Sequence, residues 1–203
     1  MRALLRTTRE YDPPLTVEEF ERLPEGEGKQ ELHDGRAVQM APVGDLHGQT
    51  VIELGARLRD YVRGRGGRRF GRLVTETGFV LWPERPRESR APDLAFIPAA
   101  APATRYLVRG RPALAVEVLS PNDQPAEVLV KVREYLGAGV PLVWVLDPLV
   151  GGTVYRPDTA PRRLGADGVL DGEDLLPGFR LPLTDVWAEL AAPEDDVAPR
   201  PDA

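Results

Sequence analysis

Residues 142–146 read Leu-Val-Trp-Val-Leu, and this uninterrupted apolar run limits the possible folds more than any other feature of the chain. A strand without polar positions is buried on both faces, which is typical of a sheet covered on both sides. An amphipathic pattern at 124–138 predicts a helix directly before this strand. Together they predict a layered domain in which helices pack on a sheet.

The remaining patterns predict a helix that starts at the capping box of Thr16 and Glu19, and a hairpin that turns at Asp34-Gly35. A longer helix is predicted over 46–63. Further strands and outer hairpins are predicted from alternating or β-branched segments at 73–82, 93–97, 113–119, 152–156, 162–164 and 168–170, before a last helix at 183–190. The order indicates an α/β (α+β) fold with a mixed sheet, flanking helices and additional β-hairpins.

The length of 203 residues suits one domain. We predict that this domain covers 15–191, between a flexible N-terminal segment at 1–14 and a flexible tail at 192–203 that is rich in Pro and acidic residues. No apolar run reaches the ~18–20 residues that would span a bilayer. We therefore expect a cytoplasmic protein without a membrane segment.

The composition removes several classes of site. The chain has no Cys and two His residues, which excludes disulfides and thiolate zinc sites and disfavours a multi-histidine metal centre. A metal in this chain would be held by oxygen ligands, which favours Mg²⁺ or Mn²⁺. There is also no Gly-rich phosphate loop.

Two predicted strands each carry a single acid on an alanine-lined face. Period 2 places Asp93 with Ala95 in the first strand, and Glu117 with Ala113 and Ala115 in the second. If the strands are adjacent, the two carboxylates converge, and they repel each other unless they are protonated or bridged by a cation. The alternative is that Asp93 caps the strand that starts after Pro92 and that Glu117 forms a salt bridge with one of the many Arg residues.

Lys131 is one of two Lys residues in a chain with 24 Arg. It lies at the border of the apolar stripe of the helix at 124–138, from which a Lys can direct its ammonium toward the sheet. Lys is preferred to Arg where one compact ammonium must contact a water or an oxyanion. The alternative is that Lys131 is an ordinary Lys at the border of the apolar stripe. Lys29 is assigned no role.

An Arg-rich stretch at 57–72 holds seven Arg against one acid in a chain whose net charge is −6. It is either a nucleic-acid contact or a solvated helix end. The candidate nucleic-acid-binding residues are Arg57, Arg63, Arg65, Arg68, Arg69 and Arg72. Four further side chains have no single predicted role. Glu31 and Glu76 could each add a carboxylate to the site or pair with Arg. His47 could contact a phosphate or begin a helix, and His33 is expected to be exposed.

Five motifs occur together in the order Glu31-Leu-His-Asp-Gly, Ala91-Pro-Asp-Leu-Ala-Phe-Ile, Ala115-Val-Glu-Val-Leu-Ser-Pro, Lys131-Val-Arg-Glu-Tyr-Leu-Gly-Ala-Gly-Val and Val143-Trp-Val-Leu-Asp-Pro. Over roughly residues 15–190 the chain resembles the Uma-two family of restriction-endonuclease-like proteins. The resemblance implies a PD-(D/E)xK nuclease fold with Asp and Glu on neighbouring central strands. It also implies a metal-dependent endonuclease that hydrolyses phosphodiester bonds of DNA, and by analogy a homodimer.

Carried over to this chain, the resemblance makes Asp93 and Glu117 the metal-binding acids, and we add the carbonyl of Val118 as a third ligand for Mg²⁺ or Mn²⁺. Leu119 occupies the usual Lys position two residues after the second acid, which departs from the general nuclease pattern. The family pattern places the Lys on the following helix, where Lys131 matches it. Glu31 matches a further acid of the family motif, where it could bind a second metal or orient the helix. The predicted catalytic residues are therefore Asp93, Glu117, Lys131 and Glu31. The alternative function is a catalytically inactive binding or regulatory module with a nuclease fold.

Overall fold

The computed structural model describes residues 8–24, 29–121 and 123–190. The predicted tail at 192–203 lies outside the described residues, as do residues 1–7 of the N-terminal segment that is predicted to be flexible. In the described part of that segment, Thr8–Arg9 form a short strand that pairs with the first hairpin.

The described residues form four α-helices, which are α1 Val17–Phe20, α2 Asp45–Gly64, α3 Pro125–Gly137 and α4 Leu183–Trp187. They also form the strands β1 Thr8–Arg9, β2 Gln30–His33, β3 Arg36–Gln39, β4 Gly71–Thr75, β5 Phe79–Val80, β6 Leu94–Pro98, β7 Val108–Arg109, β8 Leu114–Val118, β9 Leu142–Asp147, β10 Gly151–Tyr155, β11 Arg162–Leu164, β12 Val169–Asp171 and β13 Arg180–Pro182.

Six strands form the central sheet in the order β11-β10-β9-β8-β6-β4. β8 and β9 are parallel and joined by α3, whereas the other neighbouring strands are antiparallel. A parallel pair needs a crossover connection, and the helix provides it. The apolar run at 142–146 lies in β9 and is buried along its whole length. The predicted mixed sheet with flanking helices is confirmed.

The alternation of side chains along β6 and β8 separates two cores. Leu94, Phe96 and Val116 pack with α2 on one face of the sheet. Ala95 and Ala115 pack with α3 on the other face. The alanines leave space on the α3 face, and the acid-bearing positions of both strands belong to this face.

The hairpin of β2 and β3 brings Glu31 next to Lys131 of α3, and Lys29, just before the hairpin, next to Asp93. Its turn is formed by Asp34 and Gly35, with φ of 48° and 76°. Glycine adopts such positive φ values without strain, and Asp tolerates them. Leu32 of β2 is fully buried and bridges to Ser89, just before the acid-bearing strand β6.

The structure differs from the sequence predictions in two places near the sheet. The strand predicted at 73–82 is split into β4 and β5 because Glu76 adopts a positive φ of 52°, which ends the extended conformation. The predicted loop at 98–112 contains β7, which pairs with β5 in parallel. No helix in the described part of the chain combines the length and apolar character needed to cross a bilayer.

Candidate active site

Asp93 and Glu117 lie at opposite positions of two neighbouring strands. β6 and β8 pair with Leu94 opposite Val116, so one further step along this register places Asp93 opposite Glu117. Side chains at such opposed positions point to the same face, with their Cβ atoms ~4.5–5.5 Å apart. The structure therefore brings the two carboxylates together under α3.

The carboxylate of Asp93 is held on both oxygens. Lys29 Nζ lies 2.6 Å from Oδ1, while the backbone N–H of Val118 and Nε2 of His47 donate to Oδ2 at 2.8 and 3.1 Å. Burial raises the pKa of Asp93, but the hydrogen bond from His47 and the charge of Lys29 outweigh it and hold the pKa below its usual range. Asp93 is therefore ionised at neutral pH.

Glu117 is in a less favourable electrostatic environment. Tyr135 donates its hydroxyl hydrogen to Oε1 at 2.7 Å, and Lys131 Nζ lies 3.5 Å from Oε2. Burial raises the pKa of Glu117 to about 7, because the charge of Lys131 only partly offsets burial and the negative charge of Asp93 adds to it. Glu117 therefore gains most from an additional cation.

Lys131 is held between two acids. Its ammonium lies 3.0 Å from Glu31 Oε1 and 3.5 Å from Glu117 Oε2. Burial lowers the pKa of Lys131, but the charges of Glu117 and Glu31 outweigh it and keep the pKa above its usual value. The ammonium is therefore charged at neutral pH.

Glu31 lies behind Lys131 and is fully buried. It also accepts hydrogen bonds from the Ala91 N–H at 3.2 Å and from His33 Nε2 at 2.8 Å. Burial raises the pKa of Glu31, but the charge of Lys131 and the hydrogen bond from His33 bring it below its usual range. This geometry makes Glu31 a group that orients the ammonium.

The two carboxylates and the ammonium lie at the bottom of a cleft of about 480 Å³. Its walls are the 40–44 segment before α2, residues 118–121 and 123–124 at and after the end of β8, and the first two turns of α3. Lys29 and His47 also line it, whereas Glu31 does not. A charged group that enters this cleft meets two acids and two ammonium groups on a largely buried floor.

The chain is similar to one protein family over most of its length: residues 17–184 match the Uma2 family model, described as "Putative restriction endonuclease". The chain belongs to the Uma2 family. A crystal structure from Anabaena variabilis, described as a "putative nuclease belonging to DUF820", has 22% sequence identity and a TM-score of 0.72. The match covers 87% of this chain and 99% of the other, which confirms the nuclease-like fold. No curated protein matches the chain.

Sequence reasoning missed two side chains of this Uma2 site. Lys29 was assigned no role, yet it contacts Asp93 and lies 3.3 Å from Glu76. Tyr135 lies on the apolar side of α3 that packs on the sheet, and no sequence pattern assigns its hydroxyl a partner, yet the hydroxyl donates to Glu117. The rarity of Lys was the one available signal for Lys29, since both Lys residues of the chain lie in the site.

The side chains that the sequence left open are now placed. His47 lies in the first turn of α2 and contacts Asp93, while Glu76 pairs with Lys29. Burial raises the pKa of Glu76, and its strained backbone lies at the edge of the site. His33, which was expected to be exposed, is half-buried against Glu31.

The Arg-rich stretch of this Uma2 chain does not join the acidic site. It begins in the second half of α2, and the helix rises about 24 Å between the levels of His47 and Arg63. Arg57 donates to the carbonyl of Asp185, and Arg72 donates to the carbonyls at 101 and 102. The other candidates, Arg63, Arg65, Arg68 and Arg69, are exposed. Their role in nucleic-acid binding stays a prediction.

The oxygen donors of this site are of the kind that suits a hard divalent ion. Within 8–24, 29–121 and 123–190, no three acidic or His side chains lie close enough together to hold one ion. Mg²⁺ is commonly held by one or two carboxylates, with water and substrate phosphate oxygens completing its coordination. Asp93 and Glu117 supply two such carboxylates, and a cation beside Glu117 would oppose the burial that raises its pKa.

Proposed function

We propose that this Uma2 protein is a metal-dependent endonuclease that hydrolyses phosphodiester bonds of DNA. The observation that supports it best is the arrangement of Asp93 and Glu117 on adjacent strands with Lys131 above them at the floor of a cleft. Its membership of a family described as "Putative restriction endonuclease" supports the same reaction class.

Asp93 and Glu117, with the carbonyl of Val118, would hold Mg²⁺ or Mn²⁺. A bound divalent ion would neutralise charge on the phosphodiester and make water a better nucleophile. The hydrogen bonds from His47 and Val118 orient Asp93, and the Tyr135 hydroxyl orients Glu117. These contacts keep both carboxylates in place before the ion binds.

Lys131 supplies one of the two ammonium groups that line the cleft, beside Lys29. Its ammonium would stabilise the charge that builds on the phosphate oxygens during cleavage. Glu31 acts as a positioning residue, because it holds the ammonium from the buried side and does not reach the cleft. An Arg could not occupy this place in the same way, because a planar guanidinium needs more space than a compact ammonium.

The test is cleavage of plasmid and of single-stranded DNA in Mg²⁺ or Mn²⁺. The variants Asp93→Ala, Glu117→Ala, Lys131→Ala and Lys131→Arg are each expected to cut about a hundredfold more slowly, or not at all. Arg133→Lys is the matched control, because Arg133 is exposed on the same helix. It should cut like the wild type.

Cutting that survives all four site substitutions would refute the proposed site. Divalent-ion binding by the wild type without any cutting would favour the binding or regulatory module instead. In that case the protein would have the nuclease fold and an ion site but would not catalyse cleavage.

Two finer parts of the proposal have their own measurements. Light scattering on the purified protein tests the homodimer that the family analogy predicts. For the Arg-rich stretch, joint replacement of Arg63, Arg65, Arg68 and Arg69 by Ser should weaken DNA binding and flatten its dependence on salt, because phosphate contacts release counterions.

A further inference from the structure

A second pocket, of about 350 Å³, opens beside the cleft and shares a wall with it. The shared wall includes Gly44, His47 and Ser120. The far side is the turn after β9, where the side chain of Leu149 is 66% exposed. A strand whose phosphodiester lies in the cleft would therefore pass directly beside this second pocket.

The lining of the second pocket suits an uncharged ring and not a phosphate. None of the described residues that line it is Lys or Arg, and most of its surface comes from apolar side chains and prolines. Its two acids, Asp123 and Asp147, accept backbone N–H groups of their own turns at 2.7 and 2.9 Å. Each carboxylate keeps acceptor capacity that an exocyclic amino group of a base can use.

Two buried polar atoms in the shared wall lack a hydrogen-bond partner among the described residues. They are Ser120 Oγ and Nδ1 of His47, which is 4% exposed. Buried polar groups are normally paired, so unpaired ones beside a pocket point to a ligand that completes them. Small-molecule pockets combine mainly apolar walls with a few polar groups in this way.

The depth of the cleft favours a flexible strand. Asp93 and Glu117 are 5% and 6% exposed, so a phosphodiester must enter the cleft to meet them. In a duplex the bases are stacked inward and the rod is stiff over short lengths. In a single strand the base can turn away from the phosphate and stack between apolar side chains.

We propose that the second pocket takes an unpaired nucleobase of the strand that lies in the cleft, so that the substrate is a single-stranded or locally unwound nucleic acid. This inference rests on the proposed nuclease function and specifies its substrate class. It also gives the apolar turn at Leu149 a role in binding.

Gly44→Leu tests the pocket by filling it. A Cβ built at Gly44 meets nothing within 4 Å, and its φ of −81° suits any residue. The added side chain would occupy the wall shared by the cleft and the pocket. Gly48→Leu is the matched control, because Gly48 is one turn further along α2, is equally open and lines neither pocket. Thermal unfolding of both variants checks that they fold.

The assay is the fluorescence anisotropy of a fluorescein-labelled 12-nucleotide single strand, with Ca²⁺ in place of Mg²⁺ to prevent cutting. One abasic residue is moved through the strand. We expect wild-type affinity to fall about tenfold at one position, because the abasic residue leaves the pocket without its base. Gly44→Leu should bind the intact strand about tenfold more weakly without any positional effect, and Gly48→Leu should match the wild type. DNA and RNA versions show which sugar is preferred.

An absent positional effect in the wild type, unchanged binding by Gly44→Leu, or equal affinity for the matching duplex would each overturn the pocket assignment. The two proposals fail separately. Base-dependent binding with no cleavage in Mg²⁺ would retain the pocket and reject the nuclease. Cleavage of duplex and single strand at equal rates, with Gly44→Leu as active as the wild type, would retain the nuclease and reject the pocket.

Discussion

Replacing Glu117 by Gln is expected to remove most of the pH dependence of stability of the metal-free protein between pH 5 and 8. Burial raises the pKa of Glu117 to about 7 in the folded chain, from an ordinary value of 4.5 that the unfolded chain retains. The folded state therefore binds this proton more tightly. The stability that Glu117 contributes is fully present below pH 4.5 and is lost as the pH rises through 7.

The size of the effect follows from the two pKa values. At ~1.4 kcal/mol per pKa unit, the difference between them corresponds to about 3 kcal/mol of unfolding free energy. Gln keeps the size of the side chain and an oxygen that can accept the Tyr135 hydroxyl. Lys131 keeps Glu31 as its partner at 3.0 Å. Glu76, whose pKa burial also raises, leaves a smaller residual slope.

The measurement is urea unfolding at pH 5, 6, 7 and 8 in the presence of a chelator. The wild type should lose stability as the pH rises, whereas Glu117→Gln should stay nearly constant. Asp60→Asn is the control, since Asp60 is exposed on α2 and pairs with the exposed Arg59 and Arg63. That variant should keep the wild-type slope. A wild type whose stability is flat or rises over this range would contradict the reasoning.

Three further substitutions test the contacts around the site. Tyr135→Phe removes the hydroxyl that lies 2.7 Å from Glu117, and calorimetry should show Mn²⁺ binding about tenfold weaker. Arg90→Met breaks the ion pair between the buried Arg90 and Glu134 at 2.6 Å, and it should lower the free energy of unfolding in urea by about 3 kcal/mol. Arg156→Met breaks the exposed pair with Glu173 and should lower it by less than about 1 kcal/mol. Similar costs for both would contradict the role of burial. Gly71→Ala places a Cβ against the Phe96 ring and 2.7 Å from the Ile97 carbonyl, and it should destabilise the folded protein by about 2 kcal/mol in thermal melts. Gly48→Ala has open space around the new Cβ and should leave the stability unchanged or raise it.

Local sequence patterns predict the sheet and the two acids that it carries. The apolar run at 142–146 and the period-2 alternation at 93–97 and 113–119 depend only on which face each side chain takes, and near neighbours determine that. The turn at Asp34-Gly35 and the capping box at Thr16 also act within four residues. The sequence does not predict that the strand at 73–82 is interrupted at Glu76, because a positive φ in a non-glycine residue is held by the surrounding structure and not by the residue's own preference.

The sequence by itself determined which residues could carry chemistry, namely an acid on each of two strands and a Lys on the helix that follows. Only the tertiary structure decided how these groups are paired. Lys29 meets Asp93 across 64 positions of the chain, and Lys131 reaches Glu31 of a separate hairpin. Such contacts depend on how hairpin, sheet and helix pack, and burial then sets which carboxylate is ionised and which retains its proton. No pattern along the chain encodes that burial, because it arises from layers that are distant in sequence.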